Sequence, residues 1–150
     1  MTWPKPVRKV ILARAQGRCE GCGAPIPDDV DIHHRQYVSR GGKSTPDNGL
    51  ALCGHGNVLA FGCHGKAHSG QQGEVRGWAV HSWADPADIP VWIGEAWWLL
   101  NTDGTKDHLT VDEAAELRAL YGMEPDSLSV EPKFDSHDTP VAAEWRSNVR

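Results

Sequence analysis

The chain has 150 residues and a formal net charge of −5, which leaves room for one domain, with space for an appendage. No apolar run approaches the roughly eighteen residues of a membrane span, and Met1-Thr2-Trp3-Pro4-Lys5-Pro6 lacks the apolar core of a signal peptide. A soluble cytoplasmic protein without membrane association is therefore expected, and in that reducing setting four cysteines read as metal ligands before disulfides.

The charge is unevenly spread. Residues 1–76 hold ten Lys/Arg against six Asp/Glu, and residues 77–150 hold five against fourteen. Lys5, Arg8, Lys9, Arg14 and Arg18 all precede the first acid. Alone, such a cluster is a solvated helix face; beside a metal motif it reads as a phosphate-contacting patch.

In chain order, residues 5–16 place Val7, Val10, Ile11 and Ala15 near helical spacing, with Pro6 in the first turn and Gly17 as the stop. Cys19-Glu20-Gly21-Cys22-Gly23 is a tight turn of the zinc-knuckle kind, and residues 25–28 connect onward. Residues 30–34 are predicted as the first strand of a hairpin, 39–44 as its mobile middle and 49–53 as the return. Residues 54–62 are an extended loop and 64–69 a short helix. Short strands follow at 77–81, 90–93 and 97–100, with Asp103-Gly104 as a hairpin-type turn. Thr110-Val111-Asp112-Glu113 is a capping box before a short helix over 113–121, ended by Gly122. From Met123 onward the chain is polar and aperiodic, and reads as a poorly ordered tail. The organisation expected is a core over 1–76, a small β-rich extension over 77–122, and a flexible tail over 123–150.

The chemistry is concentrated in the core. Cys19-x2-Cys22 lies upstream of Asp31-Ile32-His33-His34-Arg35; Asp47-Asn48, Cys53 and Cys63-His64-Gly65-Lys66-Ala67-His68 lie downstream. Two cysteine pairs thus bracket a histidine pair and an asparagine, and two further histidines follow directly. That order supports one structural zinc site and a second, catalytic metal site. Structural zinc takes four soft ligands in a tetrahedron, and a small core gains most from such a staple. Four buried or disulfide-bonded cysteines are the plainer alternative.

The stretch over residues 7–69 resembles an HNH endonuclease, the ββα-metal nuclease motif in its zinc-stapled form. The resemblance implies an α+β fold: a ββα-metal core with a structural zinc, an N-terminal helix and a small Trp-rich β extension. It implies zinc held by Cys19, Cys22, Cys53 and Cys63. The compact family pattern has a second C-x2-C, and this chain departs from it by inserting residues 54–62. Gly54 and Gly62 let that loop turn back, and His55 is a substitute ligand to consider.

Adjacent strand residues face opposite ways, so His33 and His34 cannot share a role. By resemblance His33 is a metal ligand and His34 the general base; Asp31 could replace His33 only in a shifted register. A neutral histidine suits proton removal from water near neutral pH. His64 matches the family's final metal-binding histidine, and His68 lies four residues on, although some relatives use only one of these two. The ion is open among Mg2+, Mn2+ and Zn2+. Asn48 matches the family's asparagine, which ties down the loop that orients His34 or sits near the metal. Arg35 is either a contact to the scissile phosphate or a solvated strand-end charge. Arg40 and Lys43 are candidate contacts to DNA backbone.

Trp78, Trp83, Trp92, Trp97 and Trp98 crowd the second half. They read as a β-sheet core packed on the nuclease unit in preference to a base-stacking surface. Segments 77–80, 85–87 and 90–91 also resemble extensions of small HNH proteins from phages of actinobacteria. The function implied is metal-dependent hydrolysis of DNA phosphodiesters, as a nick or a double-strand cut, with DNA as partner and a link to a phage packaging terminase. The alternatives are a non-catalytic zinc-binding module for nucleic acid or protein, and an RNase.

Overall fold

The computed structural model describes residues 3–55 and 61–123. Its first element is helix α1, Lys5–Ala15, preceded by Pro4 and closed by Gln16 in the left-handed region (φ 55°), followed by Gly17 (φ 76°). A two-stranded antiparallel hairpin follows, β1 (Ile32–His34) with β2 (Gly49–Ala51), paired His33 to Leu50 and His34 to Gly49. Helix α2 (Gly62–Ala67) completes a ββα unit, and a short helix α3 (Gln71–Val75) follows it. Strands β3 (Val91–Ile93), β4 (Ala96–Leu100) and β5 (Lys106–His108) form an antiparallel meander, and helix α4 (Val111–Leu120) closes the described chain. The fold is α+β, as expected.

The two faces of the short hairpin explain how the pieces assemble. Side chains alternate along a strand. Ile32 and Ala51 pack with Ile11, Ala15 and Val30 in one buried cluster beneath α1. Leu50 and Leu52 pack in a second cluster with Cys19, Cys63, Trp78, Val80, Val91, Trp92 and Trp97. This second cluster crosses the boundary drawn at residue 76, so the Trp-rich segment packs into the same core as the cysteines. Trp78, Trp92 and Trp97 are buried core residues, as the composition suggested, whereas Trp83 is 67% exposed.

Several local expectations are corrected. Residues 77–81 are not a strand: Gly77 has φ 74°, and Trp78 N–H and Ala79 N–H both donate to the Gly73 carbonyl, at 2.9 and 3.2 Å. A side chain at Gly77 would place its Cβ 1.9 Å from the Pro90 carbonyl oxygen, so the turn presses directly on the next strand. Helix α3 was not anticipated, because Gly70 and Gly73 interrupt any helical pattern. Strands β1 and β2 are three residues each, shorter than the spans predicted.

The hairpin's middle is fastened, with 3-10 turns at Val38–Arg40 and Pro46–Asn48. The insertion after Cys53 folds back where it is described: His55 pairs with Phe61, and a Cβ on Gly54 would stand 2.0 Å from the Phe61 carbonyl oxygen. The β3–β4 turn is a two-residue loop, Gly94 and Glu95, both at positive φ (56° and 67°), which suits the right-handed twist of its flanking strands. The capping box is present, with Glu113 N–H donating to Thr110 Oγ1 at 3.1 Å and Thr110 N–H to Glu113 Oε1 at 2.8 Å. Met123 is buried in the larger core, so the tail expected from that residue begins no earlier than residue 124, outside the described residues.

Candidate metal centres and their surroundings

The four cysteines converge. One sulfur from each of Cys19, Cys22, Cys53 and Cys63 lies within 4.8 Å of all the others, and all four are free thiols. The knuckle turn brings Gly21 N–H to Cys19 Sγ at 3.3 Å, and Cys53 N–H reaches the same sulfur at 3.2 Å. Such donors stabilise thiolate, the form that binds zinc. Crowding splits the thiol acidities: hydrogen bonding from Cys19 lowers Cys22 to about 6 and also lowers Cys53. Cys19 and Cys63 are pushed up by the same contacts. His55 is not part of this group; it is exposed and lies 3.4 Å from the Asp31 carboxylate, also exposed.

Gly21 has no room for a side chain. A Cβ there would meet Cys63 Sγ at 2.8 Å and the Trp78 ring at 2.9 Å. Trp78 therefore seals the cysteine cluster from the extension side.

A second cluster stands on the ββα unit. Ring nitrogens of His33, His64 and His68 lie within 4.8 Å of one another. His33 comes from β1, His64 from α2, and His68 from the residue that ends α2. The geometry suits a divalent ion. His64 Nδ1 is buried and has no hydrogen-bond partner. His33 Nε2 donates to the Trp78 carbonyl at 2.6 Å, which fixes the tautomer and leaves Nδ1 as the lone pair for a metal. Burial holds His33 well below the ordinary imidazole value and His64 at about 4, with His68 adding to the effect on His64. His68 is lowered by burial as well. All three are neutral near pH 7, as ligation requires.

Residues 19–70 match the family model described as HNH endonuclease. The chain carries an HNH endonuclease domain. No curated protein matches the chain, and no solved structure matches it. Within the HNH domain, β1 supplies His33, and α2 with its end supplies His64 and His68; the cysteine cluster lies beside them, with Cys19 and Cys63 in the larger core.

His34 faces away from the His33 side. Its ring is half-buried and stacks on Trp3, with centroids 4.1 Å apart. Ser44 Oγ lies 3.0 Å from His34 Nε2. Burial lowers its pKa too. Asn48 is buried and works as a loop tie: its Oδ1 accepts from Gln36 N–H at 2.7 Å, and its Nδ2 donates to the carbonyls of Gln36 and Lys43.

Arg35 requires a correction. It is fully buried and is neither a solvated charge nor within reach of a phosphate. Its guanidinium donates to the carbonyls of Gly77, Asp47, Pro86 and Ile89, at 2.8, 2.8, 3.0 and 2.9 Å. Burial lowers its pKa to about 9, so it remains a cation at neutral pH. It fastens the end of β1 to the extension. Arg14 likewise leaves the basic patch: its side chain is buried against Glu20 at 2.8 Å and donates to the carbonyls of Pro46 and Gly49. Glu20 in turn accepts from Ala51 N–H at 3.0 Å.

Lys43 remains exposed. Arg40 lies over the Tyr37 ring at 4.4 Å and donates to the Val80 carbonyl at 3.1 Å. Tyr37 stacks on His68 with centroids 4.9 Å apart, so Arg40 is held close to the histidine cluster. Sequence reasoning missed Trp3, Ser44, Tyr37 and the Trp78 carbonyl. None carries a spacing signal, because each reaches the site through the fold.

Among the described residues no helix is long and apolar enough to cross a membrane.

Proposed function

We propose that the HNH domain is a metal-dependent nuclease that hydrolyses DNA phosphodiesters. The observation that carries this reading is the convergence of His33, His64 and His68 on one point of a ββα unit, with His34 next to His33 on β1. These three histidines would hold one divalent ion, and the four cysteines would hold a structural zinc. When bound, the catalytic ion supplies a Lewis acid that offsets charge on the scissile phosphate and its leaving oxygen.

The chain's own groups do the rest. His34 takes a proton from water, and the water oxygen attacks phosphorus as the P–O bond opposite it breaks. The departing oxygen receives a proton from solvent. Burial keeps His34 neutral near pH 7, ready to accept that proton. Asn48 holds the loop that carries Ser44 to His34. Arg40 and Lys43 are the cations we assign to DNA backbone, in place of the buried Arg35. The protein would act in the cytoplasm, where its DNA is. A phage origin and a role beside the packaging terminase follow the resemblance of the extension to small phage HNH proteins, and copurification with a terminase subunit is their test.

Purified zinc-loaded protein is incubated with supercoiled plasmid, and in parallel with RNA, across Mg2+, Mn2+, Zn2+ and Ni2+. Metal-dependent nicked or linear plasmid, absent with His34→Ala, is the expected result. Metal-loaded protein that binds DNA and cuts neither substrate would instead make the domain a non-catalytic zinc module; cleavage of RNA alone would make it an RNase.

A further inference from the structure

The His34 ring is held from two directions. On its face, Trp3 stacks with planes 21° from parallel. The indole is itself fixed, because its Nε1–H donates to the Ile32 carbonyl at 3.0 Å. Its far edge rests over Gly49, where a Cβ would come within 2.9 Å of Trp3 Cη2. Gly49 is the residue paired with His34 across the hairpin, so the absence of a side chain there admits the indole beside the imidazole. On the ring's edge, Ser44 Oγ meets Nε2 at 3.0 Å. Ser44 is placed by its neighbour, since the Asn48 amide donates to the Lys43 carbonyl at 2.8 Å.

We propose that Trp3 and Ser44 are positioning residues for cleavage, clamping His34 with its Nε2–H on Ser44 and its Nδ1 open to the attacking water. This rests on the nuclease reading above. A neutral imidazole has two tautomers, and only one offers a lone pair at a given nitrogen. A side chain on a three-residue strand also keeps soft torsions that packing must remove. The stack fixes the ring plane, and the Ser44 contact anchors Nε2, where the hydroxyl oxygen takes the Nε2–H when the Nδ1 lone pair faces the water. Each contact does what the other cannot, so both are needed. Trp3 lies upstream of the matched segment, at residues 19–70, so the N-terminal arm becomes part of the catalytic apparatus.

The test uses the full chain, zinc-loaded and without an N-terminal tag, as wild type, S44A, S44T, W3F and W3A. Single-turnover plasmid cleavage, DNA affinity, Mn2+ affinity and the His34 tautomer by long-range proton–nitrogen NMR are measured for each. S44A and W3A should lose rate on the order of ten- to a hundredfold, the usual result of misplacing a reacting group, with Mn2+ and DNA affinities within about twofold of wild type. S44T and W3F should recover most of the rate, because they keep the hydroxyl and the stack. Wild type should show the Nε2–H tautomer, and S44A a mixture.

Wild-type rates in both S44A and W3A would overturn the clamp. So would rate losses matched by equal losses of Mn2+ affinity with the tautomer unchanged. If the wild type cuts nothing with any metal, the nuclease reading fails, and the NMR arm still decides the clamp: redistribution of tautomers in S44A supports it, and an unchanged tautomer refutes it.

Discussion

Replacing Arg35 by Met should strongly destabilise the fold rather than merely slow cleavage. The thioether fills part of the space but donates nothing, so the buried carbonyls of Gly77, Asp47 and Ile89 lose their donor at once, while Pro86 keeps the Ile89 N–H at 3.2 Å. A buried polar group left unsatisfied costs about 1–3 kcal/mol. The three together therefore cost at least about 3 kcal/mol, a large share of the roughly 5–15 kcal/mol that holds a domain folded. The Asp47 carboxylate also loses the compensating charge of Arg35, and one of its oxygens is already buried without a hydrogen-bond partner. Arg35→Lys keeps the charge but not the planar fork, and cannot reach all four acceptors; it should fall between. The assay is urea unfolding at fixed free zinc, followed by intrinsic fluorescence, with plasmid cleavage measured on whatever folds. An Arg35→Met protein that unfolds within about 0.5 kcal/mol of wild type, a ΔΔG typical of harmless surface changes, yet loses cleavage would refute the structural role and return Arg35 to the phosphate.

The remaining predictions concern the two metal centres. Gly21→Ala should weaken zinc retention, since the new methyl collides with Cys63 Sγ and the Trp78 ring; overpacking of this kind costs about 1–3 kcal/mol, and zinc release to a chromogenic chelator at the wild-type rate would count against it. His34→Ala should cut roughly 10²–10⁴-fold more slowly with normal metal affinity, whereas His33→Ala should lose divalent-ion affinity and regain activity in excess metal. Calorimetric titration of both variants decides that division, and equal loss of metal in the two would end it. The His64 contribution to stability should be complete above pH 6.5, its unfolded value, and should fall away as pH drops towards about 4, its folded value, because the unfolded chain takes up the proton first. In metal-free buffer, His64→Asn should flatten that part of the urea-midpoint profile; parallel profiles for the variant and wild type would contradict it.

What the sequence determined by itself is which cysteines and histidines form the two clusters, and the local elements that carry them. Cys19 and Cys22 share one tight turn, and His64 and His68 share one short helix and its end, so their spacing is a direct record of short-range geometry. The same holds for the capping box of Thr110 and Glu113, and for the end of α1 just before Gly17, although Gln16 takes the left-handed cap itself. Strand alternation placed His33 and His34 on opposite faces from two letters alone, and the rings do part company, one into the histidine cluster and the other onto Trp3.

Only the tertiary structure decided which charges are inside. Three of Arg35's four acceptors lie 42, 51 and 54 residues away, and no local pattern announces carbonyls that converge from such distances. Arg14 looked like part of a basic surface until Glu20 and the hairpin closed over it. Residues 77–81 carry strand-like letters, yet tight packing of Gly77 against Pro90 turns them into a bend. That bend delivers the Trp78 carbonyl to His33 and the Trp78 ring to the cysteine cluster. Ligand identity is a matter of chemistry and short spacing, which a sequence records. The burial of a cation and the aim of a carbonyl depend on which distant segments share a core, and only the folded chain fixes that.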